Sequence, residues 1–364
     1  PVKKVGIFTF HRALNYGAVL QAYALQQTLL KLPVEAEIID YWCPWIEKQY
    51  RSLLGTGTKK DRVKHLLKVA QSRIIGRKFS GFSERRLVLS KRYFRSRKDL
   101  TKIESMYDFF VVGSDQVWNS FLTDSDETYL LNFVSDNQKK VSYAASFGLS
   151  KLPEPWKSRC QALLKSFSAL SVRERQGADI IHDLTGREAR VHIDPVMLLS
   201  AEEWKRIAAP IPDENYILVY LMGRSRTIIQ FIKDLAKQTG CGVILFGSGL
   251  RRPVRAKYIR TGCPEEFLGY LAKARYVVTN SFHGTAFSIL FHKDFFVEML
   301  PEPSKANSRL EQILTLFGLS GRLIRSGICN DLQRKPDYDA VNKILKKERE
   351  KSIHYLKNAL GLPI

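Results

Sequence analysis

The chain is poor in acidic residues for its length. Its 364 residues include 36 Asp and Glu against 58 Lys and Arg, a formal net charge of +22. An excess of that size points to an anionic partner: nucleic acid, a phosphorylated substrate or an acidic membrane surface. Cysteine is scarce as well. Cys43, Cys160, Cys241, Cys263 and Cys329 are scattered, with no C-x-x-C pair. That excludes a disulfide frame and gives no metal-ligand spacing, so no metal is expected. No apolar run nears the roughly 20 residues that cross a bilayer. The opening residues Pro1-Val-Lys-Lys-Val-Gly-Ile-Phe8 lead into a strand without the apolar core of a signal peptide, and a cytoplasmic protein is expected. Three catalytic signatures are missing: G-x-x-x-x-G-K-[ST], G-x-S-x-G and H-E-x-x-H. Nucleotide hydrolysis on a P-loop, serine hydrolysis and zinc proteolysis are thereby disfavoured. No zinc-finger spacing, RNP-like aromatic motif or recognition helix accompanies the positive charge, so no nucleic-acid partner is expected.

What is present is an alternation of short apolar runs with amphipathic stretches. Strands are predicted at Lys4–Phe10, Glu35–Tyr41, Asp108–Val112, Lys140–Ala145, Ala169–Val172 and Ala189–Ile193. The pattern restarts after Pro210-Ile-Pro212, with strands at Tyr216–Leu221, Gly242–Phe246, Tyr276–Thr279 and Asp294–Glu298. Strands separated by helices of about 10–15 residues are the mark of parallel βαβ units. The expected layout is an α/β protein of two doubly wound domains facing an interdomain cleft, as in GT-B glycosyltransferases. The expected boundaries are 1–205 for the first domain, 206–335 for the second and 336–364 for a C-terminal helix that packs back on the first. The first domain carries a basic insert, 51–102, with 17 Lys or Arg against Asp61, Glu84 and Asp99.

In such sheets ligands sit past the carboxyl ends of strands, so polar strand-end loops are the candidate sites. After the strand ending at Thr279 come Asn280, Ser281, Phe282, His283 and Gly284, with a helix predicted from Gly284. A histidine beside a helix N-terminus can do acid/base work next to an anion. After Val112 come Gly113, Ser114, Asp115 and Gln116. Asp115 can take a proton from a sugar hydroxyl, and Ser114 and Gln116 can hydrogen-bond one; a helix-capping role for Ser114 or Asp115 is the plainer alternative. Arg173, at a strand end, can hold a carboxylate or phosphate bidentately, or form a salt bridge to Glu174 or another acid. Asn15, Tyr16 and Gly17 form a turn in which Gly17 lets a ligand approach the backbone. Lys305 and Arg309, at the start of a helix predicted over Ser308–Phe317, can close over a phosphate. Gly223 and Gly247-Ser-Gly249 end two further strands.

Several of these segments together resemble one family. Gly6-Ile-Phe-Thr-Phe10, Asn15-Tyr-Gly-Ala-Val-Leu-Gln-Ala-Tyr-Ala-Leu-Gln26, Val112-Gly-Ser-Asp-Gln-Val-Trp-Asn119, Ser142-Tyr-Ala-Ala-Ser-Phe-Gly148, Ser171-Val-Arg-Glu174, Asp194-Pro195 and Asn280-Ser-Phe-His-Gly284 follow one another as in polysaccharide pyruvyl transferases. The resemblance implies a GT-B-like fold and transfer of pyruvate from phosphoenolpyruvate onto a sugar as a ketal, in capsular or exopolysaccharide synthesis. It implies that Arg173 and His283 stand where the family's donor-binding and catalytic residues stand. Phosphoenolpyruvate would then be the co-substrate, with no cofactor.

That chemistry allots roles. The donor side is expected to be Arg173, Asn280, Ser281, His283, Gly284, Lys305 and Arg309; the acceptor side Asn15, Tyr16, Gly17, Ser114 and Gln116. His283 is the expected acid and Asp115 the expected base, with Arg173 beside them in the catalytic set. The acceptor is expected to be a lipid-linked oligosaccharide. A helix over Asp61–Ile75 places Val63, Leu66, Leu67, Ala70 and Ile74 at helical spacing among Lys60, Arg62, Lys64, Lys68 and Arg73, a pattern suited to an anionic membrane surface. Two other functions fit the same residues less closely: a nucleotide-sugar glycosyltransferase of the same fold, and a non-catalytic basic binding module.

Overall fold

The apolar runs form parallel strands. The computed structural model describes residues 2–52, 62–212, 214–223, 225–247, 254–300, 307–324 and 335–363, and the side chains of all these except 49–52 and 62–68. In the first half the strands are β1 (Lys3–Phe8), β2 (Val34–Tyr41), β3 (Leu89–Phe94), β4 (Phe109–Val112), β5 (Lys140–Ser142), β6 (Ser171–Val172) and β7 (Arg190–Val191). In the second they are β8 (Tyr216–Tyr220), β9 (Gly242–Phe246), β10 (Lys257–Ile259), β11 (Tyr276–Thr279) and β12 (Asp294–Val297). The first sheet runs β3-β2-β1-β4-β5 and the second β10-β9-β8-β11-β12, all parallel. The two orders are the same when each sheet is counted from its own first strand. Each winds outward in both directions from its first strand, so each has a switch point: between β1 and β4, and between β8 and β11.

The central strands are fully buried, as parallel strands covered on both faces must be. Ile7, Phe8, Phe110, Val111 and Val112 have no exposed surface in the first sheet, and neither do Ile217, Leu218, Val219, Val277 and Val278 in the second. The chain divides into two compact units, one of residues 1–198 with 348–364 and one of 199–347. The division falls a few residues before 205 because the helix Ala201–Ile207 packs on the helix Pro264–Lys273. There Ala209 N donates to Glu265 O at 2.8 Å and Trp204 meets Phe287 edge-on at 5.0 Å. The C-terminal helix Tyr338–Ala359 begins in the second unit and ends in the first. Its last turns bury Leu356 and Leu360 completely, and Tyr355 Oη donates to Ser142 O at 2.8 Å.

The described part of the expected insert, from residue 62 to 102, belongs to the first sheet's own winding. The helix Arg62–Arg86 is the crossover from β2 to β3, and β3 pairs with β2 as the edge of the sheet. Phe79 and Phe82 dock the later half of this helix, with ring contacts to Tyr16 at 5.1 Å and Tyr23 at 6.1 Å. Of the groups predicted to meet a membrane, Ala70, Arg73 and Ile74 are exposed. Lys60 and the side chains of Arg62, Val63, Lys64, Leu66, Leu67 and Lys68 lie outside the described set. Among the described residues no helix is long and apolar enough to cross a membrane.

Candidate active site

Each sheet carries a polar cluster at the carboxyl side of its switch point. In the first unit β4 ends in a tight turn. Gly113 has φ +114°, and a Cβ there would lie 2.3 Å from Tyr143 O, so only glycine lets the turn pass this close to the chain beyond β5. Asp115 follows at φ +65°, in the left-handed region that Asp tolerates better than most residues. Such a conformation persists only where its surroundings hold it. Here Asp115 O accepts from Ser146 N at 2.9 Å, and its carboxylate meets Arg173.

Arg173 ties three acids together. Nη1 donates to Asp194 Oδ2 at 2.7 Å, Nη2 lies 3.4 Å from Asp115 Oδ1, and Nε lies 3.9 Å from Glu174 Oε2. Burial works against the charged guanidinium, but Asp194, Asp115 and Glu174 outweigh it and push its pKa up. The Arg173 side chain is 2% exposed, and its guanidinium draws together the carboxylates of loops that are far apart in sequence. Among the four, Asp115 has the most accessible side chain, 12% against 0% for Asp194.

The other acceptor-side candidates are mostly scaffold. Ser114 has no exposed surface; its Oγ donates to Ala144 O at 2.5 Å and its N–H to Gln21 Oε1 at 3.0 Å. Asn15 is the N-cap of the helix Tyr16–Leu30, accepting from Ala18 N at 3.1 Å. Tyr16 and Gly17 are already helical and buried, so the predicted turn closes at Asn15. Gln116 is half-buried and accepts from Asn119 Nδ2 at 3.0 Å. Gln21, in turn, reaches Thr9 Oγ1 at 2.8 Å and locks the end of β1 to the turn after β4. Two groups had no role assigned from the sequence. Asp194, which follows β7, anchors Arg173. His11, just past β1, has Nε2 at 2.9 Å from Asp40 Oδ1. Burial raises the Asp40 pKa, but His11 and Arg12 more than offset it and hold the carboxyl below its usual range. A histidine in the first strand-end loop was the available signal for this pair.

In the second unit the helix after β11 starts earlier than predicted, at Phe282–Leu290. Ser281 is its N-cap, Oγ accepting from Gly284 N at 3.3 Å, so His283 stands in the first turn and not in the preceding loop. His283 is 8% exposed, its ring edge-on to Phe282 at 5.3 Å. A Cβ on Gly284 would lie 2.4 Å from Thr279 Oγ1 and 3.2 Å from the Tyr220 ring, so glycine seats the helix directly on β11 and β8. Asn280 uses both ends of its amide on the loop after β8, accepting from Met222 N at 2.7 Å and donating to Gly223 O at 2.9 Å. It shapes the site. Glu298, just past β12, accepts from Ser225 Oγ, and burial pushes its carboxyl pKa up. Arg309 is buried in the helix Asn307–Leu316, which packs on the His283 helix. Lys305 and Gly249 lie outside the described residues. No group of three or more metal-binding side chains occurs among the described residues.

Two parallel doubly wound sheets of matching strand order, each with polar groups at its switch point, define a protein of the GT-B fold. Solved structures align with the chain at low identity. A Listeria monocytogenes protein assigned as a UDP-N-acetylglucosamine 2-epimerase aligns with a TM-score of 0.50 and 12% identity, over 97% of this chain and 91% of its own. The Neisseria meningitidis UDP-GlcNAc 2-epimerase bound to UDP-GlcNAc gives 0.47 and 10%, over 98% and 94%. An α-glucosyltransferase in complex with UDP and a 13-mer DNA gives 0.47 and 10%, over 98% and 95%. No curated protein matches the sequence significantly. The family profile of polysaccharide pyruvyl transferases matches residues 15–297, and the chain belongs to that family.

Proposed function

We propose that the protein transfers pyruvate from phosphoenolpyruvate onto two hydroxyls of a sugar, forming a ketal and releasing phosphate. The observation that carries the reading is the placement of His283 in the first turn of a helix at the carboxyl end of β11. A helix N-terminus favours an anion, and the imidazole of His283 stands in the first turn beside that position. His283 protonates the methylene carbon of the enol. The central carbon becomes cationic and is attacked by a sugar hydroxyl, whose proton passes to Asp115. Phosphate leaves with the C–O bonding pair, and the second hydroxyl adds with loss of its proton to close the ring. Arg173 takes no part in bond changes; it holds Asp115 and Asp194 in place.

The acceptor in this reading is a lipid-linked oligosaccharide presented at an anionic membrane surface. The exposed Arg73 and Ile74 of the crossover helix are compatible with contact there. Vesicle co-sedimentation with anionic and neutral lipids tests that part: preferential pelleting with anionic vesicles is expected, and equal pelleting rejects it. The chemistry is tested by incubating the protein with phosphoenolpyruvate and lipid-linked glycans and following pyruvate addition by mass spectrometry. His283→Ala is expected to abolish addition while the circular dichroism spectrum and melting temperature hold. An active, well-folded His283→Ala protein refutes the assignment. Asp115→Asn is expected to lower kcat by about 10²–10⁴-fold, the usual weight of a general base, with little change in donor KM.

A further inference from the structure

We propose that a cavity beside the edge strand β3 is a glycan subsite that takes an acidic sugar residue of the acceptor, an inference that rests on the function proposed above. The cavity measures about 350 Å³ and lies wholly within the first unit. That volume is in the range of small-ligand sites. Its apolar lining combines three aromatic side chains, Tyr93, Phe94 and Tyr107, with Ile103 and Met106. Pyranose rings present one C–H face that packs on such rings, while their hydroxyls seek polar neighbours. Glu37 supplies one: its carboxylate accepts from Tyr107 Oη and lies 3.1 Å from Lys4 Nζ, which fixes it at the cavity wall.

Charge selects the class of sugar. Four cations line the cavity, Lys4, Lys91, Arg92 and Lys102, against Glu37 and Asp99. Lys4 is matched by Glu37, and Lys102 lies 3.8 Å from Asp99. Lys91 and Arg92 remain as a positive surplus, and a carboxylate or phosphate on the sugar would match it. Basic residues on an edge strand also guard against strand pairing. That role accounts for Lys91 and Arg92 but not for the cavity between them and Tyr107. Nor does it account for Tyr93, an aromatic left 57% exposed on the same edge.

Stacked side chains continue from the cavity toward the loop after β1. Tyr93 packs on Trp42 at 5.0 Å, the Arg95 guanidinium lies over both rings, and Arg12 lies over Trp42 at 3.8 Å. Trp42 follows β2, Arg95 follows β3, and Arg12 follows His11 in the loop after β1. A track of stacked rings and guanidinium groups thus leads from the cavity to Arg12, past the carboxyl end of β1; Asp115 follows the neighbouring strand β4 on the same side of the sheet. An oligosaccharide lying along it would present its acidic residue to the cavity and another residue to the reacting end.

Binding tests this without turnover. The full-length protein is titrated with a glucuronic acid oligosaccharide and with a neutral glucose oligosaccharide of equal length. Inorganic phosphate and a single-stranded DNA oligomer are then used as competitors. The acidic sugar is expected to bind about ten-fold or more tighter than the neutral one, and Tyr93→Ala and Arg92→Glu each to weaken it about ten-fold. Arg92 is exposed, so that variant serves even if Tyr93→Ala unsettles Trp42. Equal affinity for the two sugars, indifference to both variants, or displacement by phosphate or by DNA at similar concentration overturns the proposal. Binding that survives with no pyruvate transfer from phosphoenolpyruvate would reject the proposed reaction and leave the subsite standing. Transfer without such binding would do the reverse.

Discussion

Arg173 shows how far one residue's role depends on partners remote in sequence. An arginine at a strand end reads as an anion receptor, and nothing near it except Glu174 argues otherwise. Its two strongest neighbours, Asp115 and Asp194, lie on other strand-end loops, and only the sheet order brings them together. The consequence is measurable. Arg173→Ala leaves buried carboxylates without their cation and is expected to cost about 3–5 kcal/mol of stability. Arg173→Lys keeps the charge but cannot bridge two carboxylates as a planar fork does. It is expected to fold and to lose activity through kcat, with donor KM little changed; a large rise in donor KM at unchanged kcat would support the receptor role. His192 offers a pH prediction at the same scale. Burial, aided by Lys351 and Arg190, lowers its pKa to about 3, while Nδ1 meets Ser171 Oγ at 2.8 Å. Between about pH 6.5 and 3 the unfolded chain binds a proton there and the folded one does not, so stability falls as pH falls through that window. His192→Gln is expected to remove about one proton from the pH dependence of stability, ~1.4 kcal/mol per pH unit, read from urea titrations at pH 6.5 and 4.5. Parallel pH slopes for the two proteins would show that His192 does not govern this limb.

Elements were legible where burial is complete, and least so at the two edges that carry charge or only a short run. The runs Phe109–Val112 and Tyr276–Thr279 are apolar because both faces of a central parallel strand are covered, and both were found close to their true bounds. The edge strands β3 and β10 were not found. Leu89–Phe94 carries Lys91, Arg92 and Tyr93 on an exposed border, and Lys257–Ile259 is three residues long. Neither keeps an apolar alternation, because an edge needs charge more than burial. Missing β3 is also what made a crossover look like an insert. The start of the His283 helix was misplaced because Gly284 reads as a turn residue. Its actual use is close approach to Thr279 and Tyr220. Gly284→Ala is therefore expected to push the helix off β11, lowering stability by about 1–3 kcal/mol and displacing the imidazole. Loss of both activity and melting temperature is the expected pair of readouts. An unchanged melting temperature would show that the helix yields without cost.

For the whole molecule, the repeated strand order explains why the fold could be expected from sequence: the same βαβ pattern restarts after residue 210 and builds a second sheet on the plan of the first. The exact allotment of chain to units was less legible, because it is decided by packing at 201–209 and along one long amphipathic helix. That helix changes allegiance at Lys347. Its first turns are held in the second unit, with His292 Nε2 at 2.9 Å from Asn342 Oδ1 and the His292 and Tyr338 rings stacked at 4.4 Å. Its last turns are core of the first unit: Leu356 and Leu360 are fully buried, and Lys3 Nζ donates to Leu360 O at 2.7 Å. Truncation after Lys347 should therefore damage one unit selectively. Loss of a single buried leucine costs about 2–5 kcal/mol, comparable to the whole stability of a marginal domain, and the truncation removes three, Leu356, Leu360 and Leu362. Hydrogen exchange is expected to quicken across β1, β4 and β5 and to stay slow across β8 and β11. Leu356→Ala should give a weaker version of the same pattern. Equal loss of protection in both sheets would mean that the two units unfold as one, and that the tail stabilises the molecule as a whole instead of the first sheet.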